Sequence, residues 1–290
     1  MKGTLIGVGT MGPGIAATLS RGGLQVTCCD VNAEQLRKAE GELRVLGVRA
    51  VFESDLARAV TGADLVVEAV PEQLELKKQL FAELEKHVSP KTILASNTSG
   101  IPITRLQQAV EHKGRVVGMH WSNPPHIIPM VEVIAGAHTD SSVTEQAKKI
   151  LTGCGLIPVI VEKDVPGFVH NRLLYAILRE AVSLVEKGVI SPEELDKCFK
   201  WGLGLKLAVI GPMELLDVAG LDIYEAVAGY LNADLENRTA VAPYITRLTR
   251  EKHLGMKTGK GIFEYTPERT RELRAERGAK LLAVRKAMQS

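Results

Sequence analysis

A glycine-rich turn within the first dozen residues constrains this chain more than any other feature. Gly7-Val8-Gly9-Thr10-Met11-Gly12 closes the apolar run Thr4–Val8 and opens a helical pattern, Met11–Arg21. Glycines at that spacing between a strand and a helix meet three separate needs. Gly7 permits a tight turn, Gly9 lets the backbone approach a pyrophosphate, and Gly12 allows the helix to pack close to the strand. Thr10 and Met11 complete the turn, and the free N–H groups at the helix N-terminus favour phosphate. Asp30 ends the next apolar run, Gln25–Asp30, 18 residues beyond Gly12. A carboxylate there accepts hydrogen bonds from ribose hydroxyls and repels a 2′-phosphate, so the cofactor expected is NAD rather than NADP. The plainer alternative is a tight turn followed by an aspartate that caps the next helix.

The rest of the first half keeps alternating short apolar runs with helical periodicity, as a parallel sheet flanked by helices requires. Helices are expected at Asn32–Leu46, Ser54–Val60, Pro102–Ala109 and Val143–Leu151. Another carries the stripe Leu76, Leu80, Phe81, Leu84, Val88. Strands are expected at Arg49–Phe52, Leu65–Ala69, Thr92–Ala95, Arg115–Met119, Val131–Ala135 and Ile157–Glu162. After Pro166-Gly167 the pattern turns helical throughout. Phe168–Lys187 is apolar around much of its circumference, which predicts a helix buried on most sides in a bundle or at a subunit interface. Pro192–Trp201 follows a Ser191 cap, then Met213–Leu231, Tyr244–Glu251 and a charged helix from Pro267. The expected class is α/β: an N-terminal Rossmann doubly wound parallel sheet over residues 1–164 and an all-helical C-terminal domain over 165–290.

Charge excludes some partners. With 36 Lys and Arg against 34 Asp and Glu, the net charge of +2 gives no surface for nucleic acid or membrane. The uncharged stretch between Lys2 and Arg21 superficially resembles a signal peptide, but its glycines suit a βα turn and make a poor membrane helix. No targeting or membrane-spanning segment is expected. Cys28, Cys29, Cys154 and Cys198 form no C-x-x-C or Cys/His cluster, so no metal is expected, and free thiols point to the cytoplasm.

Chemistry is expected where the strands end. His120 closes a strand at the carboxyl edge of the sheet, the edge at which open α/β sheets bind ligands. It begins the rigid, polar run His120-Trp121-Ser122-Asn123-Pro124-Pro125. Glu132 lies in the apolar strand Met130-Val131-Glu132-Val133-Ile134, where a buried carboxylate needs a partner. Pairing the two would fix the imidazole in one tautomer and stabilise its protonated form. Taken alone, a histidine so placed is more often structural.

Seven ordered blocks then form a recognisable pattern. They are the glycine turn, Asp64–Glu72, Ser96-Asn97-Thr98-Ser99, His120-x-x-Asn123-Pro124, Val131–Ile134, Pro166–Leu173 with Asn171 at its centre, and the run Lys257-Thr258-Gly259-x-Gly261, with Glu132 inside the fifth. The chain resembles the 3-hydroxyacyl-CoA dehydrogenase family over nearly its whole length. That resemblance implies that His120 is the general base, oriented by Glu132, and that Ser99 and Asn171 hold the substrate oxygen. It also implies that Glu72, Lys77, Ser99, Asn123 and Lys257 line NAD, and that two copies join as a homodimer through the helical domain. Ser99 could otherwise be a helix cap and Lys77 a solvated helix lysine.

Two departures bear on the substrate. Only 34 positions separate Asp30 from Asp64, too few for the long helical arm that touches CoA in typical members. Typical members also carry two aromatic residues after the histidine, whereas Trp121-Ser122 stands here. The segment is similar to a branch of the family that acts on a small pyridine-ring aldehyde of vitamin B6 breakdown. In that pocket Trp121 would stack on a ring, and Ser122 and His126 would offer polar contacts. The family's default, a 3-hydroxyacyl-CoA alcohol in fatty acid metabolism, is the leading expectation. The ring aldehyde or another small hydroxy acid is the alternative, and a non-catalytic NAD-binding structural protein is a reading of another class.

Overall fold

The computed structural model describes residues 1–289. Eight strands form one sheet: β1 Lys2–Ile6, β2 Gln25–Cys29, β3 Val51–Glu53, β4 Leu65–Glu68, β5 Ile93–Ser96, β6 Val116–Trp121, β7 Met130–Ala135 and β8 Ile157–Val161. Their order is β3-β2-β1-β4-β5-β6-β7-β8, so the chain reverses direction across the sheet between β1 and β4. A crevice at such a reversal is where dinucleotides bind.

The sheet is mostly parallel, as expected, with one reversal of direction. β7 runs antiparallel to β6, and β8 follows β7 in parallel. The reason lies in the connection. β6 and β7 are joined by residues 122–129 with no crossover helix between them, and antiparallel neighbours alone can be joined so briefly. The register that results sets His120 directly opposite Glu132.

Helices cover both faces. These are α1 Gly12–Arg21, α2 Ala33–Val45, α3 Leu56–Ala59, α4 Leu74–His87, α5 Ile103–Gln107 and α6 Ser141–Gly153. One core joins Leu5, Ile15, Leu19 and Trp121; the other joins Val66, Phe81, Leu84 and Phe168, and all eight are almost fully buried. The stripe on α4 differs from expectation at one place: Leu76 is 38% exposed, whereas Lys77 beside it is 1% exposed. The interval from Asp30 to Asp64 holds only α2, β3 and the four-residue α3, with no long arm.

The first compact unit runs to Arg172, past the change of pattern at Pro166. Residues 166–172 stay with the sheet because Phe168 is fully buried and the N–H groups of Val169 and His170 bond to Glu132. The second unit, Leu173–Ser290, comprises most of α7 His170–Glu186, then α8 Pro192–Cys198, α9 Leu205–Leu207, α10 Pro212–Ala219, α11 Leu221–Asp234, α12 Pro243–Arg250 and α13 Pro267–Met288. The single helix expected over Met213–Leu231 is two, because Gly220 at φ +99° breaks it. α7 is not buried on most sides in one chain: Leu173, Leu174, Tyr175 and Leu178 are exposed, and Ser183 is its one buried residue. No described helix is long and apolar enough to cross a membrane.

Candidate active site

His120 and Glu132 meet as their strand register dictates. His120 Nδ1 lies 2.7 Å from Glu132 Oε2, and both side chains are buried. Oε1 of the same carboxylate accepts the N–H groups of Val169 and His170, each at 2.9 Å. Burial, the largest single influence, pushes the Glu132 carboxyl up. The hydrogen bonds from His120, His170 and Val169 together outweigh it and hold the group below its ordinary value. An ionised carboxylate only accepts, so Nδ1 carries the proton and the lone pair of Nε2 is left for a ligand. Phe168 flanks the imidazole with ring centroids 5.9 Å apart, and His170 stands edge-on at 6.2 Å.

A second charged cluster closes the end of β4. Glu68 Oε1 accepts from Lys77 Nζ at 2.6 Å and from Val70 N–H at 2.7 Å, and its Oε2 accepts from Ser96 Oγ at 2.7 Å. Lys77 Nζ also donates to the Val70 carbonyl and lies 3.3 Å from Glu72. Glu72 in turn accepts from Thr98 Oγ1 at 2.5 Å and Ser99 N–H at 2.9 Å. The turn after β5 is thus held from below by Glu72. It is held from the side by Asn171, whose Nδ2 donates to the Ser99 carbonyl at 2.7 Å. Pro102, not Ser99, caps α5. Ser99 Oγ is exposed and makes no hydrogen bond among the described residues. Glu68 carries the same sequence signal as Glu132, a lone carboxylate in an apolar strand. Lys77 is correspondingly no solvated lysine.

The glycine turn fits a dinucleotide. Gly7 sits at φ +90°, and a Cβ there would meet the Ala69 carbonyl at 2.8 Å. A Cβ on Gly12 would meet the Gly7 carbonyl at 2.8 Å, whereas one on Gly9 would meet nothing within 4 Å. Gly7 and Gly12 serve the fold and Gly9 leaves open space. Met11 caps α1 without a side-chain hydrogen bond and the first turn holds no acid, so its N–H groups remain for phosphate. Asp30 accepts from Val8 N–H at 3.0 Å and Asn32 N–H at 2.9 Å, which ties the turn to β2. Asn32, not Asp30, caps α2.

Comparison with known proteins settles the family. The NAD-binding domain of 3-hydroxyacyl-CoA dehydrogenase matches residues 2–51 and 45–165, and the C-terminal domain of the same enzyme matches residues 167–265. The chain belongs to the 3-hydroxyacyl-CoA dehydrogenase family. It is an NAD-dependent oxidoreductase.

Among relatives, the 5-formyl-3-hydroxy-2-methylpyridine 4-carboxylate 5-dehydrogenase of Mesorhizobium japonicum is 52% identical over 98% of this chain and 97% of its own. A crystal structure of a 5-formyl-3-hydroxy-2-methylpyridine 4-carboxylic acid 5-dehydrogenase, described as an NAD+-dependent dismutase, superposes with a TM-score of 0.97. It shares 51% identity and covers 100% of this chain and 98% of its own. The 3-hydroxyacyl-CoA dehydrogenase of Archaeoglobus fulgidus gives a TM-score of 0.73 at 32% identity, covering 98% of each chain.

Other family positions fall as follows. Asn123 is exposed at the start of the β6–β7 loop, and Lys257 is exposed in a tight turn of the second unit. Trp121 is 1% exposed within the core that holds Leu5 and Ile15, so the expectation that it stacks on a ligand is corrected. The pleat explains this: Trp121 points to the opposite face from His120. His126 packs near Gly14 of α1, where burial, aided by Arg21, lowers its pKa. Burial, aided by Cys29, raises the Cys28 thiol to about 12. Burial, with Asp30 and other acids, raises Cys29 to about 11.

Proposed function

We propose that this enzyme oxidises a small pyridine-ring aldehyde bearing a carboxylate, rather than a 3-hydroxyacyl-CoA. The observation that carries this is the likeness, at about half identity along the full length, to a dehydrogenase of such an aldehyde. The missing arm between Asp30 and Asp64 supports it, since a CoA handle would find less surface to supply remote binding energy.

Aldehyde oxidation needs an oxygen nucleophile or a thiolate, and the thiols do not favour the second. Cys28 and Cys29 are buried and held far above neutrality, which keeps them protonated. His120 offers the first. In this reading Nε2 takes a proton from water as its oxygen attacks the formyl carbon, and Glu132 stabilises the imidazolium formed. Ser99 Oγ and the Asn171 amide hydrogen-bond the oxygen as its charge changes. The Gly7–Gly12 turn, Asp30 and Asn123 would hold NAD, which when bound would supply the acceptor for the hydride of the hydrated carbon. The carbon leaves as a carboxylate, and the remaining protons pass to solvent.

The helical unit enters this reading as a dimerisation surface. Leu173, Leu178, Met213, Val218, Ile223 and Tyr230 are exposed in one chain, and a second copy would cover such a surface. Four free cysteines suit a reducing cytoplasm. Light scattering after gel filtration tests the dimer: a mass of twice 31.4 kDa is expected, and a monomer contradicts it. A panel comparing the ring aldehyde, 3-hydroxybutyryl-CoA and its pantetheine analogue tests the substrate. A CoA ester favoured over its pantetheine analogue by several orders of magnitude would restore the family default.

A further inference from the structure

Besides the core-facing Trp121 Nε1, two polar groups at the end of β6 and one at the start of α7 make no hydrogen bond among the described residues. His120 Nε2 is one. Ser122 Oγ is the second: the residue is 5% exposed, and its hydroxyl makes no hydrogen bond. Ser122 follows the last residue of β6, two positions along the chain from His120. The third is the His170 ring, which makes no hydrogen bond among the described residues and stands edge-on to His120, centroids 6.2 Å apart. The His170 backbone, by contrast, is pinned: its N–H donates to Glu132 at 2.9 Å, fixing the first residue of α7 beside the base. A buried hydroxyl left without a partner is costly, so a ligand oxygen at Ser122 would relieve a penalty as well as add a contact.

We propose that His170, assisted by Ser122, holds the carboxylate that the substrate carries on the ring atom next to its aldehyde. The inference rests on the ring-aldehyde reading above. A water bonded to His120 Nε2 at about 3 Å sits about 3 Å from the carbon it attacks. A substituent on the neighbouring ring atom then falls at the range where His170 stands. An imidazole N–H and a hydroxyl suit a two-oxygen planar anion. Two basic side chains of this unit are engaged elsewhere, Lys77 by Glu68 and Arg172 by the Pro166 carbonyl. An acyl-CoA presents no anion beside its reacting carbon, so these groups would have nothing to bind in that substrate.

The test uses the full-length enzyme with NAD and two ring aldehydes that differ only in the neighbouring carboxylate. Replacing His170 by Phe keeps the ring and removes both nitrogens. We expect His170→Phe to lower kcat/KM for the carboxylate-bearing aldehyde by about 10- to 100-fold, as loss of a charge-assisted hydrogen bond does. His170→Gln should fall less and Ser122→Ala by about fivefold. None of the three substitutions should change kcat/KM for the aldehyde without the carboxylate, or the affinity for NAD, by more than about twofold. Equal losses on both aldehydes would overturn the proposal, since His170 would then act through His120, and so would no loss on either. A second measurement separates this from the substrate reading: calorimetric titration of pyridine-3,4-dicarboxylate into the NADH-loaded protein. If the unmodified enzyme oxidises neither aldehyde, the substrate reading falls. Weaker dicarboxylate binding by His170→Phe would still uphold the subsite, and unchanged or absent binding would overturn it.

Discussion

Two buried acid–base pairs sit at the carboxyl edge of the same sheet and differ in what they leave over. At β4, Glu68 and Lys77 meet at 2.6 Å, and the remaining valences go to Ser96, Val70 and Glu72. At β6 and β7, His120 and Glu132 meet at 2.7 Å, the carboxylate is spent on two backbone N–H groups, and Nε2 is spare. Both pairs obey the rule that a buried charge must be partnered. A pair with every valence engaged supports the fold. A pair with one lone pair left over can take a proton from a ligand.

The comparison is broken most severely by removing the nitrogen partner of each carboxylate. His120→Asn should cut turnover by about two to four orders of magnitude while folding and NAD affinity stay near those of the unmodified protein, which steady-state kinetics and NAD titration check. Lys77→Met should do the reverse in kind. It strands Glu68 in the core and should cost about 3–5 kcal/mol of stability by denaturant unfolding, with Glu68→Gln/Lys77→Met recovering much of it. If Lys77→Met folded as well as the unmodified protein, the distinction between the pairs would fail.

Much of this is legible in the sequence. The strand–turn–helix context of Gly7, Gly9 and Gly12 fixed the first βα unit, and a carboxylate in an apolar strand announced Glu132. The same signal stands at Glu68, but its partner Lys77 lies on a helix, where lysines are usually solvated. The direction of β7 was not legible, since periodicity reports which residues are apolar but not which way a strand runs. The pleat decides the place of Trp121: as neighbours in β6, its side chain and that of His120 face opposite ways. The exposure of α7 could not be read either, because a sequence does not say whether an apolar surface is covered by its own chain.

Acid stability sharpens the comparison by sign. Glu132 is held below its ordinary value of 4.5, so the stability it contributes is present above 4.5 and is lost as pH falls through its folded value. Burial, opposed by Lys77, raises Glu68 above 4.5, so its contribution is present below 4.5 and is lost as pH rises through its folded value. Stability measured against pH for Glu132→Gln and Glu68→Gln should therefore diverge from the unmodified protein with opposite slopes. Parallel curves would show that the two carboxylates are alike. A smaller effect is expected outside both pairs: Asp30→Ser should relax the preference for NAD over NADP without touching turnover at saturating NAD.

The most direct test of the central claim is the rate of NADH formation by the unmodified enzyme and by His120→Asn, with the carboxylate-bearing pyridine aldehyde set against 3-hydroxybutyryl-CoA. The account predicts that the aldehyde is favoured by about two orders of magnitude or more in kcat/KM, and that its oxidation collapses in His120→Asn. Preference for the CoA ester, or aldehyde oxidation that survives the loss of His120, would contradict it.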